Sequence, residues 1–391
     1  MKHILPIIIV SQFLCTSLWF AGNSIIADMA NDLHLEQNFL ANLTSAIQFG
    51  FIIGTLVFAL LNISDRLSPS FVFFICSVLA GLFNLGITIE KINPIEILSF
   101  RLLTGFFLAG IYPVGMKIAS DYFQVGLGKS LGFLVGALVF GTAFPHLLKI
   151  FTIGLPWKYV LYVTTILSLC GGLSIFFFVP DGPYRKFNQK LKFAAFTNAF
   201  RNKNFRAASF GYFGHMWELY TLWASIPVIL ISYNRNYPNV NLNVSLFSFL
   251  IIGSGAIACV FSGLFSKRFG ARRIATTSLF LSCLCCLTSP FFLTSESVVL
   301  FIMFLFFWGL VVIADSPMFS TLVAGNAPED SKGSALTIVN CIGFSITIVS
   351  IQLTSIFADK VNFQYLYLLL AIGPIFGLFA LLGRNKEDAS H

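Results

Sequence analysis

The sequence predicts an all-α membrane protein, with twelve transmembrane helices in two six-helix bundles related by a pseudo-two-fold axis. Three observations predict it: a composition too apolar for water, twelve apolar runs of membrane-spanning length, and an internal repeat at the chain's midpoint. Of the 391 residues, 57% are hydrophobic and 46 are Phe, while 10% are charged, where a soluble domain carries roughly 25%. So few charges cannot cover so much apolar surface in water. A soluble enzyme, a disordered chain and a nucleic-acid binder are thereby excluded.

A bilayer core about 30 Å thick takes about 20 residues of helix. Runs of that kind fall at 4–29, 39–62, 71–90, 94–117, 128–148, 157–179, 207–232, 244–265, 274–293, 297–323, 334–357 and 362–383. The connections between them are short, so no soluble domain is left over. Lys2 precedes the first run as in a signal peptide, but its length and the runs that follow predict a retained helix.

The longest polar stretch, 180–206, divides the chain into a first bundle (1–179), a cytoplasmic linker (180–206) and a second bundle (207–391). It carries seven basic residues, Arg185, Lys186, Lys190, Lys192, Arg201, Lys203 and Arg206, against Asp181. Leu191, Phe193, Phe196 and Phe200 recur at helical spacing, which suits a segment lying on the membrane surface; a docking helix for a partner is the alternative. With both termini cytoplasmic, inner segments hold 18 of the 24 Lys and Arg, outer segments five, and Arg101 lies within a helix. This positive-inside bias explains most of the net charge of +8 without an acidic ligand.

The repeat supports the six-plus-six division. Ser64-Asp65-Arg66 after run two aligns with Ser266-Lys267-Arg268 after run eight. At nearly the same offset, runs four and ten each carry a kinking proline, Pro113 and Pro317. Repeated halves with substrate between them characterise secondary transporters.

At these residues the chain resembles the major facilitator superfamily, over essentially its whole length. Gly263 to Arg273 is similar to that family's loop motif, although Lys267 stands where an acid is expected. The first copy keeps Asp65-Arg66 but has Ser68 and Ser70 in place of the later Gly and basic residue. The resemblance implies gating contacts at Asp65, Arg66, Arg268, Gly270 and Arg272. Arg101-Leu-Leu-Thr-Gly105 is similar to the family's R-x-x-x-G motif, and its extension to Pro113 is closer to the anion-uptake branches than to drug exporters. The exporter motif's ending is absent after Pro145, which reads His146-Leu147-Leu148-Lys149.

Ionisable groups inside membrane helices are costly and mark substrate or proton paths. Arg101 can hold a carboxylate or phosphate in a bidentate fork; a structural pairing with a neighbouring helix is the other reading. On run seven, His215 and Glu218 are three apart and share a helix face, with Tyr212 below and Thr221 above. Glu218 is read as proton carrier, His215 as its relay and Asp315 on run ten as a further coupling or gating group, against a purely structural pairing. Asp28 is placed at the outer mouth of run one. Gln12, Thr16 and Asn23 form a polar stripe on run one with Trp19, and Ser45 and Gln48 lie on run two. In the family, helices one, four, seven and ten line the cavity, which implies substrate contacts at Gln12, Thr16, Asn23, Tyr212 and Trp217; interhelical hydrogen bonding is the alternative.

Eight cysteines lie within the apolar runs, and Cys283 and Cys286 have C-x-x-C spacing. Without His or carboxylate neighbours in sequence they read as small hydrophobes, so neither a metal nor a cofactor is expected. No phosphate-binding G-x-x-x-x-G-K-[ST] loop exists, so ATP does not drive the protein directly.

These residues lead to a proton-coupled symporter that imports a small polar metabolite, an organic anion, by alternating access. The expected partners are the substrate, protons and membrane lipid; the expected form is a monomer in a bacterial inner membrane, with an organellar membrane the variant. An exporter of an amphipathic compound such as a drug or siderophore is the first rival, to be favoured by an aromatic-walled chamber. A transporter-like sensor is the second, although only about eight residues follow the last run.

Overall fold

The computed structural model describes residues 3–36, 39–123, 127–185, 199–328 and 332–382, all helix and connection without a strand. Its helices form twelve long units, numbered here as spans. Span one is Ile4–Thr16 with Ala21–Leu33, span two Phe39–Leu60, and span three Pro69–Gly86. Span four is Pro94–Leu108 with Tyr112–Tyr122, span five Leu127–Phe151, and span six Lys158–Phe178. Span seven is Lys203–Asn236, span eight Val244–Phe269, and span nine Ala271–Phe292. Span ten is Val298–Ala314 with Ser316–Asn326, and span eleven Lys332–Ala358. Span twelve runs Phe363–Leu366, through a 3-10 stretch at Tyr367–Ala371, into Ile372–Leu382.

Among the described residues, eleven of these units are long and apolar enough to cross a membrane. Span seven is long enough at 34 residues, but its middle carries Gly211, Gly214, His215 and Glu218, which lower its hydropathy. The first N–H groups of a helix have no partner within it, and several span ends carry local caps that satisfy them. Asn93 accepts from the Glu96 N–H while the Glu96 side chain accepts from the Asn93 N–H, and Pro94 fills the first helical position. Asn243 and Ser297 cap spans eight and ten. Gly270, at φ +80°, turns the chain between spans eight and nine where a side chain would be strained.

The two prolines act at the same place in both halves. Pro113 and Pro317 each sit in the first turn of a second segment, where a missing N–H costs little, and each span breaks just before it. Span one departs from expectation. The run at 4–29 was expected as one helix, yet 17–20 interrupt it. Thr16 and Ser17 donate their hydroxyls to the carbonyls of Gln12 and Leu14, a local alternative that loosens the helix before the bulky Trp19 and Phe20.

The linker segment 186–198, with Lys186, Lys190, Lys192, Leu191, Phe193 and Phe196, lies outside the described residues, as do Lys2, Arg384 and Lys386. Phe200 lies within them and packs its ring on Phe205 at 5.4 Å. Span seven begins at Lys203, inside the stretch expected as linker.

Loops that follow odd-numbered spans lie at one end of the bundle, the odd-loop face, and the others at the even-loop face. Two helix pairs with close packing or hydrogen bonds help to join the halves. Span five packs on span eight through small residues: a Cβ on Gly136 would lie 3.1 Å from the Ala256 carbonyl, and one on Gly132 2.9 Å from that of Cys259. Span two packs on span eleven, where the Gln352 amide donates to Asn42 at 3.2 Å and Ser45 at 2.9 Å near the odd-loop face.

Candidate functional site

The first half holds a buried guanidinium. Arg101 is 0% exposed, and its Nη groups donate to the Leu18 and Trp19 carbonyls, at 3.1 Å for Leu18. Those carbonyls are free because span one breaks there, so the cation also faces the negative end of the segment Ile4–Thr16. Nε has no partner, and no carboxylate lies within ion-pair distance among the described residues. Two glycines make the placement fit. A Cβ on Gly22 would sit 2.9 Å from Leu43 Cδ2 and 3.3 Å from Arg101 Nε; one on Gly105 would sit 1.9 Å from the Ile47 carbonyl. The glycine of the R-x-x-x-G motif therefore lets spans two and four touch at their backbones.

Along spans one, two and seven several polar groups are buried without hydrogen bonds, with Gln12 against Gly115 of span four's second segment, toward the even-loop face from Arg101. Both amide atoms of Gln12 and of Gln48 lack partners, as do Asn23 Oδ1 and the indole nitrogens of Trp19 and Trp223. Asn23 Nδ2 donates to Thr44 Oγ1 at 2.7 Å. Thr16 is less available than the stripe suggested, since its hydroxyl donates along its own helix and packs on Gly141 of span five. Buried polar groups are rarely left unpaired, so this set marks a place where a polar ligand or water belongs.

Between the halves lies an aromatic seam. Trp19 stacks on Tyr220 at 5.8 Å and meets Phe51 at 4.9 Å; Phe51 meets Phe344 at 4.6 Å, and Tyr220 meets Trp223 at 5.3 Å. All five rings are nearly or fully buried and fill the centre of the molecule. No spacing in the sequence marks this seam, because its rings come from four spans.

The second half carries the other charges. Glu218, 1% exposed, accepts at a single oxygen, Oε1, from Ser282 Oγ at 2.5 Å, Trp308 Nε1 at 2.6 Å and Cys286 Sγ at 3.3 Å. Its donors are on spans nine and ten, so it faces away from the seam. His215 and Glu218, expected on one face, take different partners. His215 Nδ1 lies 2.8 Å from Asp315 Oδ1, at an angle outside that of a hydrogen bond, and both residues are 1% exposed by side chain. At three-residue spacing the helix turns about 60° per step, so the stripe fans out. Tyr212 packs on Gly343 of span eleven, His215 turns to span ten, Glu218 to spans nine and ten, and Thr221 donates to Ser350 of span eleven. Asp315, expected as a gate or an arginine partner, faces the histidine at the break of span ten. Trp217 donates its indole N–H to the Leu369 carbonyl of span twelve at 3.0 Å, away from the other half.

The loop residues contact their own halves. Asp65 pairs with Lys117 of span four at 3.0 Å, and Lys117 also reaches Asp121 at 3.6 Å. Arg185 pairs with Asp181 and donates to the carbonyls of Asp65 and Leu67. Arg66 is exposed. Arg272 donates to the Leu381 carbonyl of span twelve at 2.7 Å, and the Arg268 guanidinium lies 5.4 Å from the Phe269 ring centre. Asp28 pairs with Lys149 at 3.1 Å by the odd-loop face. Lys117 and Arg185 were not singled out from sequence as members of this network, though each is a basic residue near a span end.

Two bundles of broken and unbroken spans, with buried charges on either side of a central seam, define a repeated-bundle membrane transporter, not an enzyme. The profile of the Major Facilitator Superfamily matches residues 8–351 and 208–391, and the chain belongs to that family. Its fold is similar to the human organic anion transporter MFSD10 (TETRAN), at a TM-score of 0.74 and 13% identity, over 97% of this chain and 99% of that one. It is similar also to the proton:xylose symporter XylE bound to 6-bromo-6-deoxy-D-glucose, at a TM-score of 0.76 and 12% identity, over 97% and 95%. At such identities the likeness concerns the fold. No curated protein matches the chain by sequence.

Proposed function

We propose that this protein is a proton-coupled secondary transporter that imports a small polar metabolite, an organic anion, by alternating access. One observation carries the substrate class: Arg101 is fully buried with no carboxylate beside it among the described residues. Two carbonyls and a helix end only partly offset a cation in a dry interior, and an anionic substrate supplies the missing charge. Arg101 takes the anionic group, with Gln12, Asn23 and Tyr212 as polar contacts of the substrate and Thr16 beside them. Trp217, held on span twelve, supports the second bundle. Glu218, His215 and Asp315 carry the proton, since they are the buried acid and imidazole groups of the second half.

In this reading residues 1–179 and 207–391 are the rocking bundles and 180–206 the linker, monomeric in a bacterial inner membrane with both termini cytoplasmic. Asp65, Arg66, Arg268, Gly270 and Arg272 steady the even-loop gate. The aromatic seam favours a second reading, proton-driven export of an amphipathic compound, because rings of this kind bind flat apolar surfaces.

Purified protein in liposomes with an acid exterior tests the proposal against a panel of small carboxylates and amphipathic cations. Concentrative carboxylate uptake that collapses with a protonophore is expected. Gradient-driven movement of the amphipathic compounds alone overturns the anion assignment in favour of the second reading.

A further inference from the structure

The seam between spans five and eight ends in two buried polar groups that the proposed mechanism does not use. His146 is 2% exposed and Ser248 0%, and His146 Nε2 and Ser248 Oγ both lack a hydrogen-bond partner. The antiparallel register brings them to the same level. A Cβ on Gly255 would lie 3.4 Å from Val139 Cγ1, and one on Gly253 3.6 Å from Ala143 Cβ. Val139, Ala143 and His146 form one stripe at spacings of four and three, and Ser248, Ile252 and Gly255 form the facing one. Followed toward the odd-loop face, these stripes end on His146 and Ser248.

A cleft of about 190 Å³ opens just beyond them. It is lined in part by Lys149, one turn from His146, and by Asn243 and Ser245, within about a turn of Ser248. Neither His146 nor Ser248 lines the cleft, so water reaches this end of the seam only when the two helices part. The neighbouring interface is apolar, with small and aliphatic residues and a Phe140–Phe249 ring contact at 5.6 Å, so a leucine in place of His146 would pack without an unpaired nitrogen.

We propose that His146 is a second proton-binding site of the transport cycle, in the first half, loaded from the odd-loop face while spans five and eight are apart. The inference rests on the proton-coupled reading above. The charged and titratable groups around this end are Lys149 on the same helix, Asp28 of span one paired with it, Asp32 one turn farther out and accepting from Trp157, and Lys158, Tyr159 and Tyr162 on span six. Span eight brings none between Val244 and Gly255. Span four's Tyr112, Lys117, Asp121 and Tyr122, and Asp315 before span ten's second segment, lie farther toward the even-loop face. A charged imidazolium in the closed seam has neither water nor a counter-ion, and Lys149 repels it. The proton binds with the seam open and leaves, or is passed on, as it closes. Ser248 hydrates with His146 in the open state.

The test uses full-length protein without native cysteines, carrying Gly253→Cys in the seam, and maleimide labelling from the odd-loop side between about pH 5 and 8, where imidazole titrates; each labelling rate is divided by that of the exposed Asn236→Cys at the same pH, because only the thiolate reacts. Labelling severalfold faster at the acid end is expected, and that pH dependence should vanish in His146→Gln and in His146→Leu. The two variants guard against a loss of fold in either. Substrate exchange should survive in His146→Gln, with its pH profile flattened. A labelling rate independent of pH before the His146 change, or one whose pH dependence persists in both variants, overturns the inference. Absence of gradient-driven uptake in the unmodified protein overturns the coupling reading instead, so the two failures are distinct.

Discussion

Trp308 of span ten donates its indole N–H to Glu218 Oε1 of span seven at 2.6 Å, joining two of the family's cavity helices through a buried carboxylate. Ser282 and Cys286, one turn apart on span nine, donate to the same oxygen. Glu218 therefore sits in a pocket of donors with no cation within ion-pair distance among the described residues. Gain of its proton turns a charged acceptor into a neutral one and weakens the bonds from Trp308 and Ser282. Through Trp308, that change reaches the helix that breaks at Asp315 seven residues later.

Glu218→Gln keeps the shape of the protonated acid at little desolvation cost. Its expected phenotype is substrate exchange within a fewfold of the unmodified protein and loss of uphill uptake driven by a pH gradient. Counterflow and gradient uptake in the same liposomes measure both. Concentrative uptake of unchanged pH dependence would move the proton site to Asp315.

Asp315→Asn removes the charge that faces His215 at 2.8 Å. If the pair passes protons at the break of span ten, the variant slows gradient-driven uptake at least tenfold and leaves the thermal midpoint within a few degrees. A structural pair predicts the reverse. The imidazole is then left buried without its counter-charge, and unfolding shifts downward while any residual transport keeps its pH profile.

How far the sequence reaches is clear from particular residues. Pro113 and Pro317 announce the breaks in spans four and ten because a missing N–H acts locally, whatever packs nearby. The break in span one has no such marker, since it depends on Ser17, on Trp19 and on an arginine 83 positions away in the chain. His215 and Glu218 are legible as buried titratable groups from hydropathy alone. Their partners are not, because three-residue spacing fixes a face only to within a turn of 60° per step and the neighbouring helix decides the rest. The hydrogen bond from Gln352 to Ser45, 307 positions apart, is a fact of how the halves dock, and no periodicity contains it.

Gly105→Ala tests the close approach that places Arg101. The new Cβ would meet the Ile47 carbonyl at 1.9 Å, and Gly50 on the facing helix is equally tight against the Leu102 carbonyl at 1.9 Å. Backbone cannot yield as a side-chain tip does, so spans two and four must separate. A loss of about 1–3 kcal/mol is expected, of the size seen for overpacked cores. Denaturant unfolding of the purified protein in detergent measures it, and an unchanged midpoint would mean that the two spans are not in backbone contact.

Orientation is tested by single cysteines at Tyr184 and Asn236, exposed or nearly so at opposite ends of the molecule. The excess of basic residues on the even-loop side predicts that it faces the cytoplasm. Asn236→Cys should react with an impermeant maleimide added to intact cells, and Tyr184→Cys only after permeabilisation. The opposite pattern would invert the protein and turn the proposed import into export.

Arg101 carries the anion assignment, and its replacement by lysine separates charge from shape. The guanidinium now bridges two carbonyls at the break of span one and keeps Nε free. To receive a carboxylate it must give up at least one of those carbonyls, so binding of the anion and rearrangement of span one are the same event. Lysine preserves the positive charge but presents a compact ammonium instead of a planar fork, and cannot hold both carbonyls and an anion in one plane. The expected result for Arg101→Lys is a folded protein with apparent affinity for the carboxylate reduced at least tenfold, about 1.4 kcal/mol. Arg101→Gln, which leaves no charge, should lose carboxylate uptake and unfold less readily if the buried cation is costly in the empty state. Uptake by Arg101→Lys at unchanged apparent affinity, measured over a concentration series in liposomes, would make the residue a cap for the broken helix alone.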